Sequence, residues 1–158
     1  MLFPLLFAFG LICATVLIHA LGTWEAIVYL DRVWSHRNQN QGVLSTEVQI
    51  VRVVSLLLLL HLAEAGVWAG FYRMAGVLPE LETAIYFSIT SYTTVGYGDV
   101  VLAAPWRLLG PIEAAVGILM FGWSTAIIVA VVTRIQAFRL HRGSDGKGNA
   151  DGLNNREE

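Results

Sequence analysis

Three long apolar stretches set the folds that are open to this chain. They cover residues 1–30, 47–72 and 105–139, and at about 1.5 Å per residue each could cross a bilayer as a helix. Backbone amides find no water inside a bilayer, so a helix is needed to satisfy their hydrogen bonds there. The chain is 56 % hydrophobic, with few and scattered basic residues and a net charge of −2. We therefore expect an all-α membrane protein in contact with the lipid bilayer and with no nucleic-acid partner.

A shorter helix and a glycine-rich motif lie between the second and third stretches. The helix is predicted over residues 79–93, where Pro79 and the acids after it suit a first helical turn. At about 20 Å it is too short to span, so it should re-enter the membrane from one side. The loop after it must then be buried in protein or line water.

The motif itself covers residues 93–99 and reads TTVGYGD. Gly96 and Gly98 flank one aromatic residue and can take positive φ without a Cβ penalty, so successive carbonyls can point the same way. Carbonyls aimed at a common axis are hard oxygen ligands that can replace the water around a monovalent cation. A glycine-rich hairpin turn is the alternative interpretation.

Residues 94–99 resemble the signature of potassium channels, and residues 87–94 resemble the pore helix of these proteins. The resemblance is to the prokaryotic type with two membrane-spanning helices around the pore loop, here preceded by one additional helix. It implies that K⁺ is the transported ion, and we expect no cofactor. The sequence shows no Ser/His/Asp grouping, phosphate loop or nucleotide-binding fingerprint, so we expect no enzymatic activity and identify no soluble ligand. One chain supplies one filter segment, so a closed ring of oxygens needs several copies, and the resemblance implies a homotetramer. The implied K⁺ ligands are the carbonyls of Thr94, Val95, Gly96 and Tyr97, with the Thr94 hydroxyl.

A second group of residues is expected to support this selectivity filter. Its members are Tyr86, Phe87, Thr90, Thr93, Gly98 and Asp99. By resemblance Tyr86 and Phe87 brace the filter laterally, and Tyr86 could donate a hydrogen bond to Asp99. Thr90 stands where some members of the family have a glutamate, so a carboxyl pair with Asp99 is not expected.

The third stretch is predicted to be the inner helix that lines the pore cavity. By resemblance Gly117 falls at the position of a hinge glycine, and Gly122 is a second candidate for hinge or gate; close helix packing is the alternative for both. The stripe expected to face the cavity consists of Ile118, Phe121, Thr125, Val129 and Thr133.

Several ionisable residues interrupt the apolar stretches and are functional hypotheses by default. They are His19, Glu25, His61, Glu64 and Glu113. His61 and Glu64 lie three residues apart and could pair, either as a pH sensor or as a polar pair between helices. Glu113 is interpreted as packing behind the filter, and His19 and Glu25 as contacts between helices. Arginines do not recur at every third residue, so we expect no voltage sensor, and the gating stimulus is not predicted.

The predicted organisation has four parts. They are an additional N-terminal helix (1–30), a cytoplasmic loop (31–46), a pore domain (47–139) and a disordered cytoplasmic tail (140–158). Within the pore domain we place the outer helix at 47–72, the pore helix at 79–93, the filter at 94–99 and the inner helix at 105–139. The first stretch could instead be a cleaved signal peptide, but no positive region precedes Leu2.

The distribution of arginines predicts a multi-pass protein of the cell (inner) membrane. Six arginines close to helix ends lie on the side of the tail and two on the side of the filter. Cytoplasmic loops carry the excess of basic residues, so the N-terminus and the filter should be outside. The sequence thus predicts passive potassium conduction. A less selective cation channel and a non-conducting subunit of a channel assembly remain as alternatives.

Overall fold

A computed structural model describes residues 2–35 and 44–154 as four helices with no strand among them. They are α1 (Leu2–Ser35), α2 (Leu44–Met74), α3 (Leu81–Tyr92) and α4 (Leu109–Asn154). Within these helices, three segments are long and apolar enough to span a membrane: Leu2–Tyr29, Glu47–Met74 and Leu109–Ala137. The fold class predicted from the apolar stretches is confirmed. At 12 residues, or about 18 Å, α3 is too short to span, as expected for a re-entrant helix.

The observed helix ends differ from the predicted ones in two places. Helix α1 continues to Ser35 and α2 begins at Leu44, so the predicted loop of 31–46 is shorter, and its residues 36–43 lie outside the described part of the chain. The disorder predicted for 140–158 must also be corrected, because α4 continues through Asn154. Once a helix is nucleated, each further residue adds a hydrogen bond without a new nucleation cost, so polar residues can prolong it. Residues 155–158 are outside the described part.

The core lies where α2 and α4 pack around α3, and α1 joins it through its contacts with α2 and α4. The buried residues of α3 are Ala84, Phe87, Ser88, Ser91 and Tyr92, at the 3.6-residue spacing of one helix face. This face packs on the large buried side chains of α2 and on the first turns of α4. The outward faces of the spans expose many large apolar side chains, which lipid tails can cover at no hydrophobic cost.

Helix α1 is attached to this core by buried polar contacts as well as by apolar packing. The Trp68 indole N–H on α2 donates to the Thr15 hydroxyl on α1 at 3.0 Å, and both side chains are fully buried. Trp and Thr can be buried in this way because each polar group finds a partner. The additional helix is therefore part of the same packed unit as the pore helices.

Candidate functional site

The glycine-rich segment begins where α3 ends, and three hydrogen bonds fold it back against that helix. The Thr93 hydroxyl donates to the Ile89 carbonyl (2.6 Å), while the backbone N–H groups of Thr94 and Gly96 donate to the carbonyls of Ser91 (2.9 Å) and Thr90 (3.0 Å). These contacts satisfy carbonyls that the end of a helix leaves without intrahelical partners. The segment is thereby fixed to α3.

Backbone φ angles alternate in sign along this segment. They are positive at Thr94 (64°), Gly96 (48°) and Gly98 (79°), and Val95 and Tyr97 between them do not have positive φ. The sequence predicted this freedom for the glycines only. At Thr94 the left-handed conformation costs about 1–2 kcal/mol because of the Cβ atom, and residue type gave no indication of it. The alternation permits carbonyls of successive residues to point to one side.

In the single chain this segment is largely uncovered. Tyr97 is 73 % exposed and Val95 is 52 % exposed. Behind the segment lies an open groove of about 380 Å³, whose lining includes Phe87, Thr90 and Asp99. The residues predicted as K⁺ ligands therefore follow one another along an exposed, non-helical segment.

Of the residues predicted to support the filter, Tyr86 contacts it as expected. Its hydroxyl donates to the Asp99 carboxylate at 2.7 Å. This hydrogen bond lowers the pKa of Asp99, because it stabilises the ionised carboxylate. The Thr90 hydroxyl instead donates to the Phe87 carbonyl of its own helix at 3.0 Å. Phe87 is buried, with its ring edge-on to Tyr72 at 5.3 Å, so it braces α3 against α2.

Two buried carboxylates hold the inner face of α3. Glu113 on α4 accepts hydrogen bonds from the Ser88 hydroxyl on α3 and from the Tyr72 hydroxyl on α2, the latter at 2.8 Å. This placement agrees with the interpretation that Glu113 packs behind the filter. Ser88 and Tyr72 were not singled out in the sequence, where they are ordinary small and aromatic residues of amphipathic helices.

The second carboxylate is Glu64 on α2, which contacts α3 one helical turn beyond Ser88, at Tyr92. It accepts a hydrogen bond from the Tyr92 hydroxyl, and its two oxygens lie 2.9 Å from His19 Nδ1 and 3.6 Å from His61 Nδ1. His61 and Glu64 thus lie close together on α2, and each also bonds side chains of other helices. Glu25, by contrast, is exposed and lies in a groove between α1 and α2.

The two candidate hinge glycines of α4 have different surroundings. A Cβ atom at Gly117 would overlap the Tyr92 carbonyl oxygen, so α4 passes too close to the end of α3 for any side chain. A Cβ at Gly122 would meet nothing within 4 Å, and α4 continues through both positions. The structure favours close packing as the role of Gly117 and assigns no contact to Gly122.

The stripe expected to face the cavity is exposed except at one residue. Ile118, Thr125, Val129 and Thr133 are exposed on α4. The threonine hydroxyls donate to carbonyls of their own helix, which lowers the polarity of this surface. Phe121 requires a correction, because its ring packs against His61 with 4.2 Å between centroids and so faces the neighbouring helices.

Comparison with known families decides the class of this protein. A family model described as "Ion channel" matches residues 56–134, which is half of the chain and extends from the middle of α2 to α4. The chain belongs to this ion channel family. The matched range contains α3 and the glycine-rich segment, while α1 lies outside it. Comparisons with curated proteins and with solved structures gave no match.

Proposed function

We propose that this ion channel conducts K⁺ selectively, as a homotetramer, through the backbone carbonyls of residues 94–97. The observation that carries the proposal is the alternation of φ at Thr94, Gly96 and Gly98. Such a segment offers a row of carbonyl oxygens that can replace the hydration shell of a monovalent cation. The Thr94 hydroxyl is the innermost ligand of the row.

Exposure of the same segment supports assembly from several copies. Non-helical backbone at membrane depth is tolerated where it is buried in protein or lines water. A single chain leaves Val95 and Tyr97 largely uncovered, and further copies around a central axis would cover them. With the filter towards the outside and the tail of α4 in the cytoplasm, four chains would enclose a cavity lined by Thr125 and Val129.

Conduction through this pore requires no covalent step. K⁺ enters the cavity hydrated, loses water in the filter, and advances because ions at adjacent sites repel each other. The C-terminal end of α3 carries the negative end of its dipole and favours a cation nearby. Asp99, whose pKa the Tyr86 hydroxyl lowers, adds negative charge at the other end of the filter.

The test is potassium flux into liposomes that contain only the purified full-length chain. We expect flux with a reversal potential that follows the K⁺ gradient and not the Na⁺ gradient. Gly96→Ala should abolish it, because φ of +48° is strained for any residue with a Cβ. Gly10→Ala is the matched control, since Gly10 lies on α1 and a Cβ there meets nothing within 4 Å.

Three outcomes would count against the proposal. Equal permeability for K⁺ and Na⁺ would indicate the less selective channel. No current from the pure protein would indicate a non-conducting subunit. A monomer in native mass spectrometry, under conditions in which flux is retained, would contradict the tetramer.

A further inference from the structure

Five buried side chains form a closed ring of hydrogen bonds at the centre of the membrane-spanning bundle. All four helices contribute: His19 from α1, His61 and Glu64 from α2, Tyr92 from α3 and Ser124 from α4. The ring has five links. Glu64 Oε1 lies 2.9 Å from His19 Nδ1, and Glu64 Oε2 accepts a hydrogen bond from the Tyr92 hydroxyl, which lies 3.2 Å from His61 Nδ1. Ser124 Oγ closes the ring, because it lies 3.0 Å from His61 Nε2 and 3.4 Å from His19 Nε2. We call this set the polar ring.

The number of hydrogens needed by the polar ring follows from its connectivity. Each of the five links requires one hydrogen. The tyrosine and serine hydroxyls supply one each, two neutral imidazoles supply one each, and an ionised carboxylate supplies none. One link would then have lone pairs facing each other, so a fifth proton is needed. It can reside on a histidine beside ionised Glu64, or on Glu64 beside two neutral histidines.

We propose that the polar ring holds this fifth proton and, through Tyr92, positions the inner end of the filter. With it the ring has no net charge, which is the state that costs least inside a bilayer. Loss of the proton leaves one link open and a net negative charge in the bundle. Gain of a sixth proton would place two hydrogens in one link, where they repel each other. The complete ring therefore exists at one protonation level.

Tyr92 connects this protonation level to the ion path. It is the last residue of α3 and is followed at once by Thr93 and Thr94, and its carbonyl packs against Gly117. A ring that opens releases the Tyr92 side chain and with it the base of the filter. His19 acts through Glu64 and is thus a positioning residue, which gives α1 a role in the pore. The effect on conduction rests on the function proposed above.

We place the fifth proton on a member of the polar ring itself, given the side chains that surround it. Phe121 stacks on His61, and Trp123 lies edge-on to His19 with 5.4 Å between centroids. Glu113 on α4 acts electrostatically on Tyr92, and it accepts a hydrogen bond from Tyr72 on α2. Net charge in the ring is therefore decided by its two histidines and its one carboxyl.

The same side chains also offer ligand atoms for a metal ion. One atom each from His19, His61 and Glu64 lie within 4.8 Å of one another, and two histidines with a carboxylate are a ligand set that zinc uses. Each of these atoms already has a hydrogen-bond partner from the protein. Among the described residues no buried polar side-chain atom lacks a partner, so the contacts fit protons better than a metal.

The direct test counts protons in the full-length channel in lipid. Nitrogen-15 NMR of labelled histidine, assigned with single His→Gln variants, reports the state of His19 and His61. Infrared spectroscopy with carbon-13 glutamate, assigned with Glu64→Gln, reports the carboxyl. At neutral pH we expect these three side chains to carry three protons together. A count of two or four would overturn the proposal.

Ser124→Ala is the decisive variant, since it opens the ring into a chain of three links. The Tyr92 hydroxyl and two neutral histidines can supply three hydrogens, so the count should fall from three to two. Ser124→Thr keeps the hydroxyl and should keep three protons. Thr23→Ala is the matched control, because this buried hydroxyl on α1 donates only to carbonyls of its own helix. An unchanged count in Ser124→Ala would overturn the ring, as would metal coordination shifts of both histidines on addition of ZnCl₂.

Potassium flux into liposomes then tests the link to the filter. Wild-type flux should fall at alkaline pH as the fifth proton is lost, and Ser124→Ala should lose this dependence. A proton count of three with flux that is independent of pH would contradict the positioning role. Absence of flux at every pH would contradict the proposed function instead, because the proton count does not require conduction.

Discussion

Gly117→Ala is the most demanding test of how α3 and α4 fit together. The added methyl group would overlap the Tyr92 carbonyl oxygen and lie 2.9 Å from its carbonyl carbon. Overpacking of this kind costs about 1–3 kcal/mol, and the upper end applies because the obstacle is backbone and cannot rotate away. Alanine is the better helix former by about 1 kcal/mol, so the net loss should be about 2 kcal/mol.

Gly122→Ala on the same helix provides the comparison. A Cβ there meets nothing within 4 Å, so the gain of about 1 kcal/mol in helix preference should remain. The two variants should then differ by about 3 kcal/mol, or about 6–12 °C in Tm for a chain of this size. Thermal unfolding of the detergent-solubilised channel measures this difference. Equal Tm values would refute the close approach of α4 to Tyr92.

Two further predictions concern the hydrogen bonds around the filter. Tyr86→Phe removes the donor that lowers the pKa of Asp99, so this pKa should rise. In the wild type the hydrogen bond stabilises the folded protein above the ordinary pKa of aspartate, and this stabilisation is lost as the pH falls through the lowered pKa. The variant should lack this contribution. Carbon-13 NMR titration measures the pKa and recordings of current decay measure filter stability, and no change in either would contradict the bracing role. Tyr72→Phe removes a buried hydrogen bond to Glu113 and should cost about 0.5–1.5 kcal/mol. Glu113→Ala should cost more, because it also removes the acceptor of Ser88; equal Tm values for these two variants would contradict the shared site.

The residue pattern alone predicted those structural features that depend only on residues close together in the sequence. Apolar length gave the three spans, since the cost of burying polar backbone in lipid depends only on the segment itself. The spacing of His61 and Glu64 placed both on one helix face, and their side chains are in contact. The tail after residue 139 shows the limit of composition as evidence, because α4 continues there as a helix.

Contacts between distant parts of the chain could not be predicted in this way. His19 and Ser124 are 105 residues apart, and His19 and Glu64 are 45 apart, yet all three belong to the polar ring. A single sequence does not specify how helices rotate about their axes when they pack, so Ser124 and Tyr92 gave no sign of their role. For the same reason Phe121 was expected in the cavity and instead packs against His61.

The sequence by itself determined that this chain lies in a membrane and that residues 94–99 can present a row of carbonyls, because hydropathy and glycine freedom are properties of the residues. Only the tertiary structure decided which buried polar groups meet. The physical reason is that a polar group inside a bilayer must find a partner on another helix, and the partner is set by packing across the bundle. That packing joins His19 on α1 to Glu64 on α2, which in turn bonds Tyr92 at the end of α3.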